Sequence, residues 1–216
     1  HVSETYTGPD GRVVSLRVEV GLLSRNIVIK GDDNSPKQVF GAHTIAVHSG
    51  TYRVENVELT HCGQAAILGR YCTHSHMAAG MGHSYVKSNS IHHSFQRAVT
   101  IHGTHHMRVQ HNVAFDVRGH TYFVEDGVET FNVIEGNLGC RTRALSSMLK
   151  SDMSGPSTFW TSSPTNFFRH NVAAGSAAHG IWFELPGNPH GPSFTTTVCP
   201  NVNPLGEFFR TMFVQD

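Results

Sequence analysis

A chain of 216 residues, 38% hydrophobic and only 15% charged, carries enough apolar surface to bury a core and is not a disordered tail. Lys plus Arg and Asp plus Glu both total 16, so no net field draws the chain to nucleic acid or an anionic membrane. No run of about 18 apolar residues exists to insert into a bilayer, and the 17 histidines, dense between His61 and His120, are the outlier, making that region's charge sensitive to mildly acidic pH.

The opening HVSETYTG lacks the basic and apolar regions of a signal peptide, so targeting information is expected elsewhere. From there an asparagine recurs ahead of a short, mostly apolar step, at Asn26, Asn56, Asn89, Asn112, Asn137 and Asn171, at intervals of 30, 33, 23, 25 and 34 residues. The shorter intervals suit one coil of a parallel β-helix, and the longer ones predict insertions such as a loop over Thr73 to Gly82. Stacked coils would let an inward Asn at a turn bond the Asn above and below it. A repeat at an offset of 59 residues joins HNVAFDVRGHTYFVED from His111 to HNVAAGSAAHGIWFEL from His170.

Arg97 to His102 and Thr121 to Glu125 are short, β-branched and aromatic, and are followed by Gly103 and Gly127, which reads as strand then turn. The one helix candidate is Arg143 to Lys150. Seven prolines from Pro156 to Pro204 crowd the last third. The expected architecture is all-β, a right-handed parallel β-helix over residues 1–187, with a loop-rich segment at 188–216 packed on or capping it.

Side chains alternate across a strand, so Val99, Ile101, Tyr122, Val124, Ile181 and Phe183 are predicted inward. Leu68, Thr100, Phe123 and Trp182 then form an outward column with Arg70, His102, Glu125 and Glu184 beside it. Aromatic planes flanked by charged groups suit a polysaccharide, with Arg70, Phe123 and Trp182 as substrate-binding residues; the same column equally suits coverage by another domain or by the chain's own insertions. His74 and His76 point to one side of an extended segment, and a neighbouring-rung imidazole, His102 or His105, would complete a divalent metal site with an open position. The alternative is a ladder of imidazoles bonded to one another. Glycoside hydrolysis would use Glu125 with Glu184; a lyase would use His102 or His120 as base and Arg70 or a metal to neutralise a uronate. The recurrence of His120 and His179 at equivalent bends favours structural roles for both. Cys62, Cys72, Cys140 and Cys199 contain no CxxC pair, which leaves two disulfides or four buried thiols open.

The strings VEVGLLSRNIVIKGDD, GQAAILGRYCTHSHM, SYVKSNSIHHSFQRAVTIHGTHH, NVAFDVRGHTYFVEDGVETFNVIEGNLG and STFWTSSPTNFFRHNVAAGSAAHGIWFELPG resemble the β-helix region of G8-domain proteins from about Val18 to Gly187. The resemblance implies PbH1 repeats in a secreted or membrane-anchored extracellular protein. Some members are linked to hyaluronan binding and depolymerisation, and fibrocystin-type members resemble large surface or ciliary structural proteins. No G8 domain is expected within these residues, so cleavage residues proposed to lie in that domain are not carried over. GRYCTHSHMAAGMG departs from the family's GRYPIHFHMAGD-like run, losing a proline and an acidic residue, while His74 and His76 match. His102, His105, His120, Glu125, Asp126 and Glu184 also match. The resulting expectation is an extracellular module facing a hyaluronan-like polysaccharide, with Glu125, His102 and Glu184 catalytic and His74, His76 and His105 holding a divalent metal. The rival is an assembly module that binds other surface or filament proteins.

Overall fold

In the computed structural model the described residues are 3–48, 50–144, 149, 152, 155–209 and 212–214. Three parallel sheets form the walls of a β-helix. The first face stacks β4 (Thr44–Val47), β7 (Thr73–Gly80), β10 (Val99–His105), β13 (Tyr122–Val124), β16 (Ser157–Thr161) and β19 (His179–Phe183). The second stacks β5 (Arg53–Glu55), β8 (Tyr85–Lys87), β11 (Arg108–Gln110), β14 (Val133–Glu135), β17 (Phe167–Arg169) and β20 (Glu207–Phe209). The third runs from β3 (Ile27–Lys30) through β6 (Val57–Thr60), β9 (Ser90–His92), β12 (Val113–Arg118), β15 (Leu138–Arg143) and β18 (Val172–Ser176) to β21 (Met212–Val214). An antiparallel hairpin, β1 (Ser3–Thr7) with β2 (Val13–Arg17), stands outside these walls. The final segment contributes two short 3-10 turns as well as β20 and β21, which continue the second and third sheets. One four-residue helix, α1 (Ser35–Gln38), is present among the described residues, and the helix candidate from Arg143 falls largely outside them.

Inward side chains fill the coil: Leu59, Ile91, Val99, Ile101, Ile134 and Phe159 are each almost wholly buried. The corner between the second and third faces is made by one residue in the left-handed region, at Asn56, Ser88, His111, Gly136 and His170, whose φ values run from 50° to 64°. The next residue enters the interior, and there Asn89, Asn112, Asn137 and Asn171 stand in single file. The Oδ1 atoms of Asn112, Asn137 and Asn171 each accept from the backbone and amide N–H groups of the Asn below, at 2.9–3.1 Å. Asn26 and Asn56 are one residue out of this file; the backbone N–H of Val57 occupies its lower end, donating to Asn89 Oδ1 at 2.9 Å. A second file, Asn132 on Asn166, lines the corner between the first and second faces.

Register settles the meaning of the 59-residue offset. Tyr122 pairs with Phe159, and Phe159 with Ile181, so the two matching strings lie two rungs apart with Phe159-Trp160-Thr161 between them. The expected loop over Thr73 to Gly82 is instead mostly β7, because its alternating side chains continue the first sheet. The insertion lies earlier, at residues 61–72, where a Cys62–Cys72 disulfide closes it. That single bridge, the one disulfide among the described residues, replaces both cysteine alternatives.

Candidate metal centre

The outward residues of β7 and β10 build the site. His102 pairs with His76, and Thr100 with His74, so alternation delivers three imidazoles to one spot. Their ring centroids lie 5.0 Å (His74–His76), 4.8 Å (His76–His102) and 6.0 Å (His74–His102) apart. One nitrogen from each falls within 4.8 Å of the others. The surroundings fix the tautomers. Gly69 C=O, which can only accept, lies 3.0 Å from His74 Nδ1, so the proton sits there and the buried Nε2 keeps a bare lone pair with no hydrogen-bond partner. Asp126 Oδ2 lies 2.7 Å from His102 Nε2, which directs the neutral ring's other lone pair, on Nδ1, toward His76 Nδ1 at 3.1 Å. A carbonyl behind one imidazole and a carboxylate behind another are the kind of support by which metal sites orient histidine ligands.

Burial pushes His74 down to about 3, and burial together with its His102 neighbour lowers His76. Burial alone would lower His102 too, but its bond to Asp126 and the Glu125 carboxylate outweigh it and hold the group above the usual value. Glu125 Oε2 is 3.6 Å from His102 Nδ1 and Oε1 is 3.7 Å from an Arg97 nitrogen. Burial raises the Glu125 pKa, with Arg97 and His102 countering it.

Several predicted residues are elsewhere. His105 does not join the cluster: Gly103, at φ 53°, introduces a bulge after His102, and His105 Nδ1 instead accepts from the Thr130 backbone N–H at 3.1 Å. His102 takes its place. Phe123 points outward yet is only 4% exposed, because the Arg97 guanidinium lies 3.7 Å above its ring, so it offers no platform to a sugar. Trp182, stacked on Trp160 at 6.1 Å, remains 41% exposed. Leu68 and Arg70 belong to the disulfide-closed loop and not to a rung; Arg70 is exposed beside His43 at 3.1 Å. Glu184 is exposed and stands two rungs from Glu125, roughly 9.6 Å along the axis. His120 is buried, accepting from Ser157 N–H at 3.0 Å with its other nitrogen 3.2 Å from Asp152.

Sequence reasoning missed the supports. Arg97 is fully buried, bonded to Asp152 Oδ1 at 2.6 and 3.1 Å and to the Tyr71 hydroxyl at 3.2 Å. Glu129 accepts backbone N–H bonds from Gly103, Asp126 and Gly127 at 2.8–3.0 Å, shaping the turn that carries Asp126. The final segment reaches back: His190 N–H donates to Asp126 C=O at 2.8 Å, and Ser193 bonds the Asp126 carboxylate. An Arg set before a β-branched run was the one local signal; Asp152 and Ser193 had none.

With this geometry the comparisons are unambiguous. A family model described as the CEMIP beta-helix matches residues 39–212. The chain belongs to that family. Fibrocystin-L of Mus musculus is 38% identical across 97% of the chain, and cell surface hyaluronidase CEMIP2 of Homo sapiens is 32% identical across 97%. The human cell migration-inducing and hyaluronan-binding protein is 30% identical over the same share. The chain spans 6% of that fibrocystin-L and 18% of each of the other two, so it corresponds to the β-helix part of much longer CEMIP-family relatives. Every residue of the centre, its Ser193 support included, falls inside the family match.

Proposed function

We propose that this β-helix is an extracellular module that binds and cleaves a hyaluronan-like polysaccharide, with His74, His76 and His102 holding a divalent metal and Glu125 as the acid–base group. The observation that carries the reading is the buried, partnerless Nε2 of His74 beside His76 and a His102 ring held from behind by Asp126. Three neutral nitrogen donors with room for a fourth ligand are the donor set of a catalytic zinc-type site. Such a cation supplies charge to neutralise a uronate or polarise a bound oxygen. Burial shifts Glu125 toward its protonated form, the form that gives a proton to the leaving glycosidic oxygen in hydrolysis and in elimination alike, while Arg97 and His102 pull it the other way. Trp182 offers the exposed ring for a sugar face and Arg70 an exposed cation for a carboxylate. Glu184, near the upper limit of about 9.5 Å for an inverting pair of carboxyls, is the second acid–base candidate. The disulfide fits an oxidising, extracellular compartment, and two relatives are named for hyaluronan or its cleavage at the cell surface.

The test pairs metal content with hyaluronan depolymerisation by the protein. Glu125→Gln is expected to keep the metal and lose about 100-fold or more in cleavage rate, whereas His74→Ala loses both. Wild-type cleavage by both variants would sink the catalytic assignment. A metal-free, inactive wild type leaves the assembly reading, favoured by the exposed Trp182, in which that ring meets another surface protein.

A further inference from the structure

A second group of imidazoles lies on the third face of the coil, away from the centre on the first. Glu58 and Thr60 alternate outward on β6, and His92 on β9 is the register partner of Thr60. Glu58 Oε1 stands 3.2 Å from His92 Nε2, and the other Glu58 oxygen is pinned by the Arg25 backbone N–H at 3.1 Å. The carboxylate accepts a hydrogen bond from His92 Nε2–H, so the neutral ring presents a bare Nδ1. That nitrogen lies 2.6 Å from His93 Nδ1 and 3.2 Å from the Thr60 hydroxyl. At this distance, with no ion present, His93 Nδ1–H donates to the bare His92 Nδ1.

His61 and His93 occupy the left-handed corner that recurs on this face at Asp116 and Arg141. His93 has φ 50° and His61 φ 45°, left-handed conformations that cost an L-residue about 1–2 kcal/mol each. The result is a set of rings with centroids 4.9 Å (His92–His93) and 6.1 Å (His61–His93) apart, close to the 4.8 to 6.0 Å spacings within the first centre. His61 is steadied by stacking on Phe95 at 6.1 Å. All three rings open into a cleft of about 660 Å3 that also admits Lys30 and Asp33.

We propose that His92 Nδ1, His93 Nδ1 and the His61 imidazole form a second binding site for a borderline divalent metal of the zinc class, with Glu58 orienting His92 from behind. Ligands at 2.0–2.1 Å in tetrahedral geometry stand about 3.3 Å apart, so the two Nδ1 atoms need to open slightly, a rotation that exposed His93 is free to make, while His61 closes on them. The site draws on none of the residues assigned to glycan cleavage.

Zinc titration of the metal-free full chain, followed by calorimetry, tests it. Wild type is expected to take up two equivalents. The His92→Ala/His93→Ala variant should take up one, and the His74→Ala/His76→Ala/His102→Ala variant should keep the other with its affinity unchanged. Should the first centre bind nothing, wild type takes up a single equivalent that the His92/His93 variant alone loses, and the inference stands. Zinc stoichiometry and affinity unaltered by the His92/His93 substitutions overturn it. If that variant does not fold, His93→Asn, which tolerates left-handed backbone, replaces it, with at least a tenfold loss of affinity expected and an unchanged affinity again overturning the proposal.

Discussion

Arg97 is buried to 0% exposure, sandwiched between the rings of Phe123 at 3.7 Å and Tyr71 at 4.8 Å, and closed by Asp152. A buried charge of this kind is tolerable only with its partner, because removing one member leaves the other uncompensated. Arg97→Met should therefore destabilise the fold by about 3 kcal/mol, and urea denaturation will show it as a lowered midpoint. A variant within about 0.5 kcal/mol of wild type would mean that the pair contributes only packing. Arg97 and Asp152 are 55 residues apart, so no local pattern announces the pair. The HxH at His74 and His76 was readable because alternation puts both on one side of a strand. The choice between His102 and His105 was not, since it depends on the bulge at Gly103 and not on residue type.

At the level of strands and corners, the recurring asparagine did disclose the stacking, but its phase held only from Asn89 onward. Asn56 carries the right residue one position early, on the corner itself, where left-handed backbone suits Asn as well as Gly, and Asn26 stands at the equivalent position one rung below. Only pairing distinguishes a corner residue from one that has turned inside. The difference is measurable. Asn137 Oδ1 takes two N–H groups from Asn112 at 2.9 and 3.1 Å, and its amide donates to Val109 C=O at 2.9 Å and to Asn171 Oδ1 at 3.1 Å. Asn137→Ala strands buried backbone groups that each cost about 1–3 kcal/mol, so a loss of about 3 kcal/mol is expected. Asn26→Ala, at an exposed position, should stay within about 0.5 kcal/mol. Equal losses in chemical denaturation would show that the interior file is not what ties successive coils together.

The molecule as a stack of coils has a stability profile that follows from its topology. Each coil contacts only its neighbours, so a rung inside the stack is held from both sides and one at an end from one side. The lowest rung leaves Ile27 61% and Ile45 39% exposed, whereas their register partners one rung up, Val57 and His74, are 8% and 2% exposed. The asparagine file reinforces the middle coils, and the disulfide closes the insertion against them. The cluster of His74, His76 and His102 lies on β7 and β10, at the boundary between the weak lower end and the strong middle. Amide exchange should accordingly be slowest along β10, β13, β12 and β15, where opening requires global unfolding, and much faster along β3 and β4. If the centre holds a cation when metal is supplied, protection on β7 should rise toward that of β10, because His74 and His76 are then tied to His102; exchange on β3, on another face, should be untouched by occupancy of this centre. Uniform protection from β3 to β15 would instead mean that the stack unfolds as one cooperative block, and that the lower coils draw on contacts beyond their nearest neighbours.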